Sequence, residues 1–215
     1  MATLLTALVA TATIYNWVTN WAAERWSRLQ PAVPSSLPPV SILKPLCGVS
    51  PWLYDCLATF CRLDYPAYEV LCCTARADDP ASEVVHRLQT DFPHVTLRLF
   101  VADRVHGTNA KIDNLDKMYR EARHEILVIS DDDILVPRDY LQHLVADLET
   151  PNVGVVSCPY RGKSGGTAAS AFEALGIASE FFSGVFVARW MEGIRFALGS
   201  TMAVRKEREI GRAHV

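Results

Sequence analysis

The sequence predicts an α/β fold, in which a mostly parallel sheet is covered on both faces by helices and follows a separate apolar helix. Short β-branched runs alternate with helical stretches from Val40 onward, which is typical of right-handed βαβ units. Apolar residues make up 50% of the 215 residues and charged residues 21%, enough apolar material for a sizeable core. Residues 1–23 carry no charged side chain and therefore form a segment apart from the sheet.

Residues 1–24 are predicted to form a transmembrane anchor. A helix of this length spans about 34 Å, and the hydrocarbon layer of a bilayer is about 30 Å thick. Trp17, Trp21 and Trp26 lie at its downstream end, where an interfacial aromatic belt would lie, and Arg25 is among them. The positive-inside bias predicts a single- or multi-pass membrane protein with its folded domain facing the cytoplasm. The alternatives are a cleaved signal peptide and a helix packed on the surface or in the core.

The remaining chain is expected to contain a Pro-rich linker over 25–39, a folded domain over 40–208 and a non-native tail over 209–215. Five strands are expected, at 40–43, 68–73, 95–100, 125–130 and 153–158. Four helices are expected between them, at 51–61, 81–90, 114–122 and 137–148. Ligands in such sheets bind at the carboxyl ends of the strands, so functional residues are expected there.

Charge and cysteine content narrow the classes of function. The formal net charge is −3 and the pI is near 6.1, which excludes a strongly basic nucleic-acid binder, so no nucleic-acid partner is expected. The six cysteines include no C-x-x-C pair. We interpret them as reduced core thiols of a domain in a reducing compartment.

An acidic cluster, Asp131, Asp132 and Asp133, directly follows the apolar run 126–130, which has the pattern of a buried parallel strand. Alternate side chains of an extended chain share a face, so Asp131 and Asp133 are expected to point together and Asp132 away from them. Two carboxylates with room for diphosphate oxygens suit Mg²⁺ or Mn²⁺. The alternative is that these acids cap the next helix or lie in a solvated turn.

A second acidic pair, Asp78 and Asp79, follows the strand at 68–73. An acid in that position can accept hydrogen bonds from a ribose or a uracil. The alternative is that Asp79 caps the following helix, with Pro80 at the first helical position.

A third segment lies between the two acidic sites. Gly107 allows a tight loop, and Lys111 is expected to neutralise a phosphate or to pair with one of the acids. In the alternative, Lys111 is solvated and Asn114 caps a helix.

Several motifs follow one another along the chain: V-S-I-L-K-P-L-C-G-V at 40–49, L-D-Y-P at 63–66 with Y-E-V-L at 68–71, D-D-P at 78–80, N-A-K-I-D-N-L at 109–115 and D-D-D at 131–133. In this order and spacing they resemble the ceramide glucosyltransferase family, glycosyltransferase family 21. The segments 157–162 and 196–205 are more similar to the bacterial hopanoid-associated branch of that family. The resemblance covers roughly residues 40–208.

The resemblance implies a GT-A fold and an inverting, metal-assisted transfer of a hexose, glucose or N-acetylglucosamine. The donor would be a UDP-sugar, and the acceptor the hydroxyl of a membrane lipid of the ceramide or hopanoid type. The positions that match the family's nucleotide-sugar-binding residues are Asp78, Asp79, Lys111, Asn114 and Asp131. Asp131 and Asp133 match the D-x-D motif that holds the metal, Mg²⁺ or Mn²⁺, and the diphosphate.

The family's third aspartate, its expected general base, and its Q-x-x-R-W motif have no match. The Arg189-Trp190 pair is preceded by Phe186 where the motif has Gln, and it comes before the 196–205 segment. We therefore expect a fragment that is inactive alone, with the general base beyond residue 215. The alternatives are a nucleotidyltransferase and a non-catalytic membrane module that binds a nucleotide sugar.

Overall fold

The computed structural model of the protein describes residues 1–29, 32–103, 108–193 and 196–206. The chain forms two compact units. The helical unit comprises Met1–Pro31 and Pro159–Ala197, and the sheet unit comprises Ala32–Cys158 and Leu198–Val215. Each unit therefore contains two separate stretches of the chain.

The sheet unit is built on six strands: β1 Val40–Leu46, β2 Tyr68–Thr74, β3 Thr96–Val101, β4 Ile126–Ser130, β5 Val155–Ser157 and β6 Thr201–Arg205. Their order across the sheet is β3-β2-β1-β4-β6-β5. The first four strands pair in parallel, whereas β6 is antiparallel to β4 and β5. The predicted α/β fold with a mostly parallel sheet is confirmed.

Helices cover both faces of this sheet: α2 Leu53–Phe60, α3 Ala81–Asp91, α4 Ala110–Glu121 and α5 Tyr140–Leu148. Because side chains alternate along a strand, Ile42 packs in the cluster that contains residues of α2, α3 and α5, and its neighbour Leu43 packs with Met118 of α4. Every residue of β1 and β4 is buried. This is why their sequences are nearly continuous apolar runs.

A buried carboxylate holds the amino ends of the strands together. Glu69 of β2 accepts hydrogen bonds from Ser41 Oγ at 2.7 Å and from the Arg123 amide at 2.9 Å, and it pairs with Arg98 of β3 at 3.3 Å. Burial alone would raise the pKa of Glu69, but these donors outweigh it and the net shift is downward. The carboxylate therefore stays charged and ties three strands to the turn before β4.

The structure corrects two expectations about the end of the chain. The strand expected at 153–158 is only Val155–Ser157, and it is not parallel to β4, because β6 lies between them. Strand β6 was not predicted, nor was the apolar helical segment before it. That segment consists of α6 Ala168–Gly176, a π-helical turn Ile177–Phe181 and α7 Phe182–Glu192.

The helical unit contains α1, Ala2–Ser27, and this second segment, and both are long and apolar enough to cross a membrane. Side chains of α7 pack against the C-terminal half of α1, including an edge-to-face contact of Trp190 with Trp21 at 5.7 Å between ring centres. The chain before α6 also packs closely on it. A Cβ atom at Gly162 would lie 2.6 Å from Ala174 Cα, so only glycine fits there without a shift of the backbone.

All six cysteines are free, and four of them are fully buried. Burial raises the pKa of Cys72 and of Cys73 to about 12, so both thiols stay protonated at neutral pH. Cys47 is the exposed thiol. The interpretation as core thiols therefore holds for four of the six cysteines, whereas Cys47 is exposed and Cys158 is partly exposed.

Replacing Gly162 by Ala is expected to lower the free energy of unfolding by about 1–3 kcal/mol, because the added methyl group overlaps the backbone of α6. The matched control is Gly184→Ala in α7, where no atom lies within 4 Å of an added Cβ. Alanine there should be neutral or stabilise the helix by about 0.5–1 kcal/mol. Thermal unfolding in detergent, followed by circular dichroism, measures both effects. Equal midpoints for the two variants would contradict the close approach.

Candidate functional site

The carboxyl ends of three neighbouring strands form one edge of the sheet. Strand β1 pairs in parallel with β2 on one side and β4 on the other. The segments that follow Leu46, Thr74 and Ser130 therefore leave the sheet side by side. Open α/β sheets bind ligands at this edge, and the predicted site residues come from these segments and from α4.

Lys44 of β1 is completely buried beneath this edge. Its Nζ atom donates to the carbonyl oxygen of Asp131 and to Ser130 Oγ, the latter at 3.3 Å. The same atom lies 3.9 Å from the centre of the Phe60 ring. Burial lowers the pKa of Lys44 to about 8, and the nearby carboxylate of Asp132 opposes that shift. Lys44 is therefore an ammonium at neutral pH, held under the strand-end aspartates.

Lys111 and Asp131 meet above the end of β4. Lys111 Nζ lies 2.5 Å from Asp131 Oδ1, and both side chains are partly exposed. Lys111 is in the first turn of α4, where its amide donates to the side chain of Asn109, the N-cap residue, at 3.1 Å. The Asp131 amide donates to the carbonyl oxygen of Ser200 at 3.1 Å. The expected pairing of Lys111 with an acid of the cluster is thus present.

The prediction for the three aspartates assumed that they continue an extended strand, and this assumption is wrong. Strand β4 ends at Ser130, and Asp132 and Asp133 lie in a turn, so the alternation of an extended strand does not extend to them. The carboxyl of Asp132 is half-buried. Burial raises its pKa, and the negative charge of Asp133 raises it further. Asp133 is exposed and makes no ion pair with a described residue.

Two buried polar atoms near this edge lack a hydrogen-bond partner in the described part of the chain, Asn114 Oδ1 and Ser200 Oγ. Asn114 is not the helix cap of the alternative interpretation, because α4 begins at Ala110 and Asn109 caps it. Its Nδ2 atom donates to the carbonyl oxygen of Leu46 at 3.3 Å. A buried acceptor without a donor costs about 1–3 kcal/mol, so these atoms are suited to meet a ligand or water.

The Asp78 and Asp79 carboxylates have different surroundings. Asp79 accepts hydrogen bonds from the Ala81 amide at 2.9 Å and the Gly48 amide at 3.1 Å, so it ties the first residue of α3 to the loop after β1, although the N-cap residue of α3 is Pro80. Gly48 has a φ of +69°, which favours glycine in that loop. Asp78 is exposed and pairs with Arg76, and this hydrogen bond lowers its pKa.

The site residues predicted from the sequence thus fall on one edge, but not in one cluster. Lys111, Asp131 and Lys44 are joined directly, while Asp78 and Asp79 contact other partners. Gly107 lies outside the described residues. Within 1–29, 32–103, 108–193 and 196–206, no three His, Cys, Asp or Glu side chains are grouped closely enough to hold a metal ion. The Asp131 and Asp133 carboxylates suit a hard cation only if further oxygen ligands come from a bound diphosphate and water.

Residues 4–210 match glycosyl transferase family 21. The chain belongs to this family. Membership confirms the resemblance to the ceramide glucosyltransferases, and similarity to the hopanoid-associated branch stays a prediction. Membership of family 21 favours a glycosyltransferase over the alternative of a nucleotidyltransferase.

Curated relatives of this family 21 chain include ceramide glucosyltransferase 3 of Caenorhabditis elegans. The two proteins are 39% identical over 105 residues, which make up 49% of this chain and 23% of the relative. The ceramide glucosyltransferase of Gibberella zeae is 35% identical over 150 residues, 62% of this chain and 28% of the relative. The chain spans about a quarter of the length of these relatives.

Solved structures share the fold of this family 21 chain. The mannosyltransferase PcManGT from Pyrobaculum calidifontis, in complex with GDP-Man and Mn²⁺, superposes with a TM-score of 0.63 at 24% identity, over 93% of this chain and 55% of that one. Glucosyl-3-phosphoglycerate synthase from Mycobacterium tuberculosis gives a TM-score of 0.52 at 17% identity, over 79% and 56%. The likeness shows the GT-A glycosyltransferase fold.

Sequence reasoning assigned no role to Lys44 or Ser200, although both lie in segments that carry the family resemblance. The signal for Lys44 is a lone cation within the apolar strand V-S-I-L-K-P-L, since a buried ammonium requires acceptors and counter-charges close by. The signal for Ser200 is weak, because its contact with Asp131 joins residues far apart in the sequence.

The Lys44→Met variant is expected to lack a pH dependence of stability that the wild type has. The pKa of Lys44 is about 8 in the folded protein and 10.5 ordinarily. The unfolded chain thus binds this proton more tightly, and burial of the cation costs free energy below about pH 8. Raising the pH from about 7 to about 10 relieves that cost, so the wild-type free energy of unfolding should rise by about 2 kcal/mol relative to Lys44→Met.

Urea unfolding at the two pH values, followed by circular dichroism, measures this difference. The matched control is Lys163→Met, which removes an exposed lysine and should follow the wild type. A constant difference between wild type and Lys44→Met across this pH range would show that Lys44 does not hold its proton as described.

Proposed function

We propose that the carboxyl edge of the sheet binds the diphosphate of a UDP-sugar together with Mg²⁺ or Mn²⁺. In the whole protein this site would serve the inverting transfer of a hexose, glucose or N-acetylglucosamine, to the hydroxyl of a ceramide or hopanoid-type lipid. The observation that carries the proposal is the Lys111–Asp131 pair at the end of β4, in a chain of family 21.

The charges at this edge support diphosphate binding. Lys111 is partly exposed and pairs with Asp131, so it can turn to a phosphate oxygen when a donor binds and leave the carboxylate to a cation. Asp131 and Asp133 would hold that cation. A bound Mg²⁺ or Mn²⁺ would neutralise the charge that develops on the departing diphosphate.

The nucleoside end of the donor is assigned to the loops after β1 and β2. Asp78 has an exposed carboxylate, and Asp79 fixes the start of α3 beside Gly48. Asn114 Oδ1, which has no hydrogen-bond partner among the described residues, supplies an acceptor beside the end of β1, where Nδ2 of the same side chain donates to Leu46. Inverting transfer also needs a base that takes the acceptor proton, and we assign that role to none of these residues.

A membrane lipid as acceptor is supported by two observations. The similar proteins from Caenorhabditis elegans and Gibberella zeae are ceramide glucosyltransferases. The helix α1 is long and apolar enough to cross a bilayer, and exposed tryptophans and arginines lie near its C-terminal end. We propose that α1 spans the membrane with the sheet unit on the cytoplasmic side.

Alanine at Asp131 or at Asp133 is expected to weaken Mn²⁺-dependent UDP binding by about 100-fold or more, because each change removes a charged oxygen ligand. Titration calorimetry with UDP and Mn²⁺ on the full chain in detergent measures the affinity. Chelation of the metal should abolish wild-type binding.

The control is Asp147→Ala, which removes an exposed aspartate of α5 far along the chain from the strand end. This variant should bind UDP as the wild type does. Undiminished binding by both Asp131→Ala and Asp133→Ala would overturn the metal assignment. Binding by the wild type that does not change on chelation would overturn the role of the cation.

A further inference from the structure

The Ser200 hydroxyl is a buried polar group to which neither the fold nor the proposed function assigns a role. Its oxygen is shielded from water and has no hydrogen-bond partner among the described residues. Two neighbouring hydroxyls are paired, since Ser157 Oγ donates to the Leu198 carbonyl oxygen at 3.1 Å and Thr201 Oγ1 accepts from Tyr140 at 3.2 Å. An unpaired hydroxyl costs free energy in the free protein, so this group is available to a ligand or to water.

Ser200 lies opposite Asp131, where β6 runs beside the end of β4. The two strands are antiparallel, with Ser130 opposite Thr201. The Asp131 amide donates to the Ser200 carbonyl oxygen at 3.1 Å, which continues this pairing by one residue. Opposite residues of an antiparallel pair have side chains on the same face, with Cβ atoms about 5 Å apart. The Ser200 side chain is therefore a neighbour of the Asp131 side chain.

The face of the sheet that carries both side chains is the one covered by α4. Met202, two residues after Ser200, packs against the core cluster under α4. Asp131 pairs with Lys111, which is in the first turn of the same helix. Ser200 thus shares a face and an edge of the sheet with the residues proposed to bind the cation and the diphosphate.

The order of the strands indicates which part of a bound donor would reach Ser200. The proposed function places the nucleoside at the loops after β1 and β2, and the diphosphate with its cation at the end of β4. Strand β6 is the next strand beyond β4 in the order β3-β2-β1-β4-β6-β5. Neighbouring strands are about 4.8 Å apart, which is close to the width of one pyranose ring. A donor that runs along the edge from β2 to β4 therefore carries its hexose to the end of β6.

The surroundings of Ser200 leave room for such a group. A Cβ atom added to Gly199 would meet no atom within 4 Å apart from its chain neighbours. Ser200 as a residue is half-buried, although its hydroxyl oxygen is shielded. A serine side chain turns about a single bond between staggered positions, so the hydroxyl can turn towards a ligand at the edge.

We propose that Ser200 binds the hexose of the donor, through a hydrogen bond between its hydroxyl and a hydroxyl group of the sugar. This inference rests on the proposed function, in which the sheet edge binds a UDP-sugar together with a divalent cation. A serine hydroxyl both donates and accepts, so it can pair with whichever sugar hydroxyl faces it. Ser200 then contributes to the affinity for the sugar and not to the affinity for UDP, which ends at the diphosphate.

The first test compares the affinities of UDP and UDP-glucose for the wild type and for Ser200→Ala. Titration calorimetry on the full chain in detergent, with Mn²⁺ present, measures them. Alanine keeps the backbone carbonyl that accepts from Asp131, so UDP should bind equally to both proteins. We expect UDP-glucose to bind about 3–10-fold more weakly to Ser200→Ala, because a sugar hydroxyl loses its partner. The control is Ser164→Ala, which removes an exposed serine and should bind both ligands as the wild type does.

UDP-glucose analogues that lack one sugar hydroxyl identify the contact. At least one deoxy donor should bind the wild type about 3–10-fold more weakly than UDP-glucose does, and should bind Ser200→Ala as tightly as UDP-glucose does. Thermal unfolding provides a readout of stability. Because the hydroxyl has no partner among the described residues, alanine should leave the unfolding midpoint unchanged or raise it.

Equal affinities of the wild type and Ser200→Ala for UDP-glucose would overturn the inference. Equal weakening of UDP and UDP-glucose would also overturn it, since Ser200 would then act on the diphosphate. A lower unfolding midpoint of Ser200→Ala would show that the hydroxyl has a structural role instead. Failure of the wild type to bind UDP in the presence of Mn²⁺ would overturn the proposed function itself, and the inference with it.

Discussion

The buried ammonium of Lys44 is the interaction on which the carboxyl edge of the sheet depends. A lone cation inside a protein costs several kcal/mol, so β1 can hold it only with acceptors and counter-charges close by. The Asp131 carbonyl, the Ser130 hydroxyl and the Phe60 ring provide them, and they belong to β4, the segment after it and α2. The strand-end acids are thereby fixed relative to the centre of the sheet before any ligand arrives.

Buried polar groups are fully hydrogen-bonded at one end of the strands but not at the other. At the amino end, the carboxylate of Glu69 is fully paired by Ser41, Arg98 and the Arg123 amide. At the carboxyl end, Asn114 Oδ1 and Ser200 Oγ have no partner among the described residues. A satisfied network rigidifies a fold, whereas unsatisfied groups at a sheet edge are available to a ligand or to water. The contrast separates structural polar residues from candidate binding residues.

Sequence patterns predicted the structural features that depend on residues close together along the chain. The apolar run before Asp131 marks a buried strand, and strand-helix alternation is enough to bring its end to the same edge of the sheet as the ends of β1 and β2. The orientation of Asp132 was not predictable from that run, because the strand stops one residue before the acids begin. Strand β6 was not predicted, since its pairing with β4 joins residues that are distant in sequence. The helical segment after Thr167 was not predicted because none of its apolar side chains is buried in a core.

The pairing of β6 with β4 means that the sheet can be completed only late in synthesis. Until Thr201–Arg205 has been made, one side of β4 carries unpaired backbone groups on a strand that is apolar up to Ser130. About 70 residues separate the two strands, which is several seconds of translation at about 5–20 residues per second. In a nascent chain, Ile126–Ser130 therefore remains an unpaired sheet edge throughout that interval, open to association with strands of other chains.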